Sequence, residues 1–159
     1  MPEEERAEWV LLAYRLPREP STPRIALWRR LRRLGALQII DGLAALPRDE
    51  RTQEQLEWCA SEVVDAGGEA SVWFASPATA AQERALAERM RESAAADYEA
   101  VIDAARTARS RDLVVRRRAL RRLRRTLRAI RARDFFAPPQ RDVAEAAVAE
   151  LAAEVEVLS

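Results

Sequence analysis

The chain has 159 residues, 48% of them hydrophobic and 33% charged, and its 27 basic residues nearly balance 26 acidic ones. One cysteine and no histidine exclude an internal disulfide and cysteine- or histidine-rich metal sites, and the absence of lysine excludes P-loop and Schiff-base chemistry. No segment has the pattern of a signal peptide or a membrane span. We therefore expect a cytoplasmic protein that is not an enzyme, with no cofactor and no membrane partner.

The first predicted elements are a strand and a basic helix. An apolar run from Trp9 to Leu16, ended by Pro17, predicts the strand. Thr22 is placed to cap a helix that has Pro23 in its first turn and Gly35 as its stop. Helical spacing predicts that the helix buries Ile25, Trp28, Leu31 and Leu34. The remaining positions predict a basic outer face made of Arg24, Arg29, Arg30, Arg32 and Arg33.

A hairpin, a second helix and a fourth strand follow. Asp41-Gly42 between the apolar runs 36–40 and 43–47 predicts a β-hairpin. A helix is predicted over 52–66, with Thr52 and Gln55 spaced as a capping box. Its predicted inward side chains are Leu56, Cys59, Ala60, Val63 and Val64. With a strand over 70–75, the order βαββαβ over residues 8–76 is that of a ferredoxin-like domain, in which two helices cover one face of an antiparallel sheet.

The second half of the chain is predicted to be almost entirely helical. Helices are expected over 79–108 and 110–133, and a third after Pro138-Pro139. Their apolar faces contain Leu86, Met90, Ala94, Tyr98, Val101 and Ala105, then Leu113, Leu120, Leu123, Leu127 and Ile130, then Val143, Ala147, Leu151 and Val155. Short connections predict that residues 79–157 form a three-helix antiparallel extension, which makes the protein α+β overall.

Positive charge is concentrated in one of these helices. Residues 116–133 contain ten arginines and no acidic residue, so like charges meet at i+3 and i+4 at a cost of roughly 0.2–0.5 kcal/mol per pair. This repulsion could be offset by phosphate, which arginine binds bidentately, or by acidic residues on the flanking helices. A solvated face and a membrane surface are the other interpretations. The nucleic-acid candidates are Arg117, Arg118, Arg121, Arg122, Arg124, Arg125 and Arg128, together with Arg29, Arg30 and Arg33 of the first helix.

Three arginines, the single cysteine and the tryptophans are further candidate functional residues. Arg15, Arg18 and Arg24 come close to a helix N-terminus, where unpaired N–H groups favour an anion. We predict that Cys59 packs against the sheet, with a redox sensor as the alternative. The four tryptophans are predicted to be core residues rather than base-stacking platforms, and they are Trp9, Trp28, Trp58 and Trp73.

Several motifs carry a family resemblance. They are WVLLAYRLP at 9–17, PSTPRIALWRRLRRLGA at 20–36, the DG and LP of DGLAALP at 41–47, LEW at 56–58, GGEA at 67–70 and RARDFFAPP at 131–139. In this order they resemble the N-terminal domain of ChrB, the chromate-resistance regulator family. The family usually has GVWVLP in the third strand, where this chain has no aromatic residue. Longer ChrB proteins also have a C-terminal domain that this sequence does not contain.

A weaker similarity links the first half to PaaX-type repressors and to the ferredoxin-like nucleases of CRISPR adaptation. Those nucleases have an acidic residue near the end of the first strand, where this chain has Tyr14-Arg15-Leu16, so nuclease activity is not expected.

The ChrB resemblance implies a function linked to chromate resistance. We expect a homodimeric transcriptional regulator that binds duplex DNA through its arginine helix and responds to chromate or another oxyanion. The alternative is an interaction or accessory module of a resistance operon that does not bind DNA, with its arginines paired internally.

Overall fold

The structure is a computed structural model that describes residues 8–158. Its elements are β1 (Trp9–Arg15), α1 (Thr22–Leu34), β2 (Leu37–Ile40), β3 (Leu43–Pro47), α2 (Glu50–Asp65), β4 (Glu69–Ala75), α3 (Ala80–Ala108), α4 (Leu113–Ala132) and α5 (Gln140–Val157). The protein is therefore α+β, with a four-stranded antiparallel sheet and five helices in the described range. The chain divides into two compact units, the first ending at Ala87 and the second beginning at Glu88. The domain bounds 8–76 and 79–157 stay a prediction.

The sheet of the first unit has the strand order β2-β3-β1-β4, and β1 pairs antiparallel with both β3 and β4. Directly opposed residues share a face, and four fully buried side chains lie on the same one: Val10, Leu12, Ala44 and Leu46. Helix α2 contacts β1 and β4. Helices α1 and α2 complete the core of this unit with Leu27, Leu31, Leu56, Cys59 and Val63. Trp73 and Ile40 lie on the second sheet face and are exposed.

The predicted hairpin is confirmed, with Asp41 and Gly42 as the residues between β2 and β3. Only Gly42 of the two has a positive φ, 81°, and the strand register shifts between Gln38 and Ile40. A Cβ atom at Gly42 would lie 2.7 Å from the carbonyl oxygen of Tyr14. This close approach and the left-handed backbone both require glycine there.

The structure corrects both predicted helix starts. The residue before α1 is Ser21 rather than Thr22, and its side chain makes no capping hydrogen bond. Helix α2 begins at Glu50, because Asp49 and Thr52 form the capping box. The Thr52 N–H donates to Asp49 Oδ1 at 2.7 Å, and the Asp49 N–H donates to Thr52 Oγ1 at 2.9 Å. Gln55 therefore has no part in the cap.

Three of the four tryptophans are not core residues. Trp9 is only 3% exposed, but Trp28, Trp58 and Trp73 are 55%, 60% and 57% exposed. Helix α1 buries Leu27 and Leu31, so the prediction was right for Leu31 and wrong for Ile25 and Trp28. The other predicted inward residues that prove to be exposed are Ile25, Val64 and Val143.

The second unit contains most of α3 together with α4 and α5. Arg131 at the end of α4 pairs with Glu145 near the start of α5, while Leu120 and Val155 line one groove, so the two helices run antiparallel. The core of this unit is made of Tyr98, Val101, Ile102, Ala105, Ala108, Ala119, Leu120, Leu123, Ile130, Ala144, Ala147, Val148, Leu151 and Val155. Buried leucines at helical spacing therefore fix which side of α4 its arginines occupy.

Candidate functional site

The arginines of α4 lie opposite its buried stripe. Leu120, Leu123 and Ile130 are buried, so the positions between them project away from the core. All seven predicted nucleic-acid candidates on this helix are exposed: Arg117, Arg118, Arg121, Arg122, Arg124, Arg125 and Arg128.

Two internal ion pairs lie at the C-terminal end of this arginine run. Arg131 pairs with Glu145 at 3.2 Å, and Arg133 pairs with Asp97 of α3 at 3.1 Å. Within residues 8–158, six of the exposed arginines of α4 form no ion pair with a carboxylate, and they are Arg118, Arg121, Arg122, Arg124, Arg125 and Arg128. We call these six residues the arginine face.

The arginine face forms two adjacent rows along α4. Arg118, Arg122 and Arg125 follow i, i+4, i+7 spacing, which places them on one line of the helix. The second line, with i, i+3, i+7 spacing, contains Arg121, Arg124 and Arg128. At 1.5 Å per residue the face is about 15 Å long. Planar guanidinium groups in such rows can each form two hydrogen bonds with a phosphate.

The basic face of α1 is only partly available. Arg30 forms an ion pair with Glu62 of α2, and Arg32 lies over the Trp28 ring, 5.2 Å from its centroid. Arg29 and Arg33 are exposed and point away from the buried side of the helix. Of the three α1 residues predicted to contact nucleic acid, Arg30 is therefore engaged within the chain.

The three predicted anion-binding arginines line a single cleft of about 670 Å³ in the first unit. Arg15 ends β1, Arg18 lies in the loop that follows, and Arg24 lies in the first turn of α1. Arg15 also pairs with Glu69 at 2.9 Å, but both side chains are nearly four-fifths exposed, so this pair contributes little. The structure thus brings together arginines that are separated by up to nine positions in the sequence.

The cleft also contains aromatic and acidic groups. Tyr14, Trp28 and Asp41 line it together with the arginines. The Tyr14 hydroxyl donates to Gln38 Oε1 at 3.2 Å, and Gln38 Nε2 donates to the Ile40 carbonyl at 2.7 Å. Burial raises the pKa of Tyr14 and outweighs the opposite effect of the Gln38 hydrogen bond, and the nearby Asp41 carboxylate adds to the rise, so the hydroxyl is neutral at pH 7.

The start of α1 borders the same cleft. Ser21 and Arg24 line the cleft, the Ser21 side chain makes no capping bond, and no acidic residue lies in the first turn. The positive end of the helix dipole is therefore not offset by a side chain of its own helix.

Cys59 is a fully buried residue of α2. Burial raises the pKa of its thiol to about 11, with smaller and opposite effects from Arg30 and Glu62. Because the thiolate is the reactive form, this environment favours packing over redox sensing.

Sequence reasoning missed the aromatic side of the cleft. Trp28 was assigned to the core, although it lies four residues from both Arg24 and Arg32, which places all three on one flank of α1. That spacing could have shown from the sequence that Trp28 lies beside the arginines. No comparable sequence signal placed Tyr14 and Asp41 in the cleft, because only strand pairing brings the β2–β3 turn beside the end of β1.

Neither metal clusters nor membrane spans were found in the part of the chain that the structure describes. Between residues 8 and 158, no group of three or more histidine, cysteine, aspartate or glutamate side chains could hold a metal ion. No helix in the same range is long and apolar enough to cross a membrane.

Comparison with known proteins identifies the family. The family described as Protein ChrB, N-terminal, matches residues 24–159 of this chain. The chain belongs to the ChrB N-terminal family. Protein ChrB of Cupriavidus metallidurans is 32% identical to it over 142 residues, which cover 86% of this chain and 43% of that protein. The chain thus spans less than half the length of this ChrB relative, and no solved structure matches it.

Proposed function

We propose that this chain is a ChrB-like regulatory protein linked to chromate resistance, that it binds duplex DNA through the arginine face of α4, and that an oxyanion modulates this binding. Family membership supports the link to chromate resistance. The DNA-binding part depends on one observation: six exposed arginines on one side of α4 have no carboxylate partner within residues 8–158.

Electrostatics favour an external anion for this face. Like-charged neighbours at i+3 and i+4 destabilise an isolated helix by roughly 0.2–0.5 kcal/mol per pair. The pairs made by Arg131 and Arg133 relieve this repulsion only at the end of α4. Phosphates spaced along a nucleic-acid backbone would relieve it along the whole face, and each would accept two hydrogen bonds from a guanidinium group.

We further infer a ferredoxin-like first domain, a three-helix extension and a homodimer. The element order βαββαβ and the strand order β2-β3-β1-β4 support the ferredoxin-like domain, and helices α3, α4 and α5 support the three-helix extension.

Exposed Trp73 and Ile40 on the second sheet face support a contact between two copies, because apolar groups of this size favour burial. A dimer would present two arginine faces to one duplex. Sedimentation velocity tests this, and a monomer at micromolar concentration would refute the dimer.

The decisive experiment measures duplex DNA binding against salt concentration. Replacing Arg118, Arg122 and Arg125 by glutamine removes one row of the arginine face. If each contacts a phosphate, the slope of log affinity against log salt should fall by about 2.7, at about 0.9 per phosphate. The matched control replaces three exposed arginines outside the face, Arg51, Arg84 and Arg106, and changes net charge by the same amount. Equal slopes for the two triple variants would refute the proposal.

The accessory-module alternative is supported by the internal ion pairs. Arg30, Arg131 and Arg133 each have a carboxylate partner in their own unit, as the internal-pairing interpretation requires. This alternative expects no binding of duplex DNA even at low salt. That outcome would eliminate DNA binding for this chain and leave protein interaction as its function.

The oxyanion part of the proposal assigns the effector to the cleft of Arg15, Arg18 and Arg24. Titration with chromate or sulfate should change tryptophan fluorescence, because Trp28 lines the same cleft. The absence of a saturable change below millimolar concentration would refute binding of a free oxyanion there.

A further inference from the structure

We propose that the cleft of the first unit binds a mononucleotide, with the phosphate held by the arginines and the base stacked on Trp28. This inference rests on the proposed anion site and names the class of its ligand: the oxyanion is a phosphate group carried by a planar ring system.

The size of the cleft supports a ligand larger than a free oxyanion. Its volume is about 670 Å³. Pockets for organic ligands and cofactors occupy about 300–1,000 Å³, whereas a tetrahedral anion of four oxygens fills only a small part of such a space. The arginines would bind the anion, and the cleft also has an aromatic wall that a free oxyanion would not contact.

Trp28 provides that wall. Its ring lines the cleft and is more than half exposed, and although Arg32 lies over the ring at 5.2 Å from its centroid, the rest of the ring is accessible to a planar base. Arg24 lies one turn before Trp28 on the same flank of α1, so a cation and a ring stand about 6 Å apart along the helix axis. The cleft therefore offers a cationic group and an aromatic ring from the same flank of one helix.

Asp41 gives the cleft a hydrogen-bond acceptor that a bare oxyanion does not use. Its carboxylate lines the cleft beside the arginines, and an anion such as sulfate has no hydroxyl group to donate a hydrogen bond to it. A carboxylate readily accepts hydrogen bonds from sugar hydroxyls, as acidic residues do in dinucleotide-binding folds. The combination of arginines, an aromatic ring and one carboxylate therefore provides a partner for the phosphate, the base and the ribose.

The test compares three probes on the full chain by calorimetry and tryptophan fluorescence. AMP carries both phosphate and ring, adenosine carries the ring alone, and sulfate carries the charge alone. AMP should bind saturably below millimolar concentration and at least about tenfold more tightly than adenosine or sulfate, given the usual strength of base stacking and of charged hydrogen bonds. Sulfate binding as tightly as AMP would overturn the inference, as would the absence of saturable AMP binding.

Two variants assign the binding to the cleft. Arg24→Gln should weaken AMP about tenfold and leave adenosine unchanged, whereas Trp28→Ala should weaken AMP about tenfold and leave sulfate unchanged. Arg51→Gln and Trp58→Ala are matched controls, since both residues are exposed on α2 outside the cleft. Melting curves check that each variant folds, and Arg18→Gln, in a loop, is a second charge variant.

Unchanged AMP affinity in Arg24→Gln and Trp28→Ala would also overturn the inference. The sulfate arm separates this inference from the proposed anion site. Saturable sulfate binding without tighter AMP binding would overturn the nucleotide and keep the anion site, whereas no saturable binding of either probe would overturn both. These titrations contain no DNA, so the DNA-binding proposal has its own test in the salt titration.

Discussion

Replacing Tyr98 by phenylalanine tests how the second unit holds the connection between α4 and α5. Tyr98 is fully buried, and its hydroxyl donates to Asp134 Oδ2 at 2.7 Å. The other carboxylate oxygen, Oδ1, accepts from the N–H groups of Phe136 at 3.2 Å and Ala137 at 2.9 Å. One phenol thus positions the carboxylate that organises the turn before α5.

The expected cost follows from these contacts. Phenylalanine fills the same space, so packing is retained and only the hydrogen bond to a charged acceptor is lost, worth about 1.5–3 kcal/mol. Asp134 is only partly buried, and water can replace the hydroxyl, so we expect the lower part of that range. A chain of this length loses about 2–4 °C in Tm per kcal/mol, which gives a decrease of about 3–8 °C.

The pH dependence provides a second readout. Burial and the Asp134 hydrogen bond raise the pKa of Tyr98 above its ordinary value of 10. Above pH 10 the unfolded chain releases this proton while the folded chain keeps it, so stability falls as pH rises further. The Tyr98→Phe variant lacks this contribution, and its deficit should be largest at neutral pH and should shrink above pH 10.

Urea unfolding followed by circular dichroism, at pH 7 and above pH 10, measures both effects. Equal stability of the two proteins at pH 7 would refute the hydrogen-bond argument, and a deficit that does not shrink in alkali would refute the pKa argument.

Three further changes have defined outcomes. Asp49→Ala should destabilise the protein by about 1 kcal/mol in urea unfolding, because it removes the capping box of α2; no change would contradict the cap. Below pH 9, Cys59 should react with iodoacetamide at least about a hundredfold more slowly in the folded than in the unfolded protein, since burial raises its thiol pKa from 9 to about 11; equal rates would show that the thiol is accessible. Gly42→Ala should cost more than Gly67→Ala, because both have positive φ but only the first methyl group would meet the Tyr14 carbonyl; equal thermal shifts would contradict the close approach.

Local signals in the sequence were sufficient for much of the fold. The Asp41-Gly42 turn predicted the hairpin because few other residues suit a two-residue connection. The buried side of α4 was predictable from Leu120, Leu123 and Ile130. These apolar residues recur among arginines at helical spacing, so only one side of the helix can face the core.

The tryptophans show where local signals fail. In α1, the spacing of Ile25 and Trp28 fits a helix face as well as that of Leu27 and Leu31, and only packing on the sheet selects the second pair. In β4, alternation separates two faces but does not say which one the helices cover, so Trp73 could not be placed. Local signals therefore placed Trp28 and Trp73 in the core, although both are exposed.

The candidate sites were predictable to different degrees. Arg15, Arg18 and Arg24 are close in sequence, so their convergence could be predicted without knowledge of the sheet. The availability of the α4 arginines could not be predicted, because pairs such as Arg131 with Glu145 depend on antiparallel packing of two helices. The contact of the arginine face with DNA stays a prediction.

The arginine face also makes α4 a sensitive reporter of its own unfolding. Trypsin cleaves after arginine, and residues 116–133 contain ten such positions. A protease needs an extended segment, so a well-folded α4 resists cleavage despite its exposed side chains, and each cut records a local opening of the helix. The rate of tryptic cuts within residues 116–133 would therefore report the opening of this one helix, and any polyanion that binds the face would be detected as protection of those positions from trypsin.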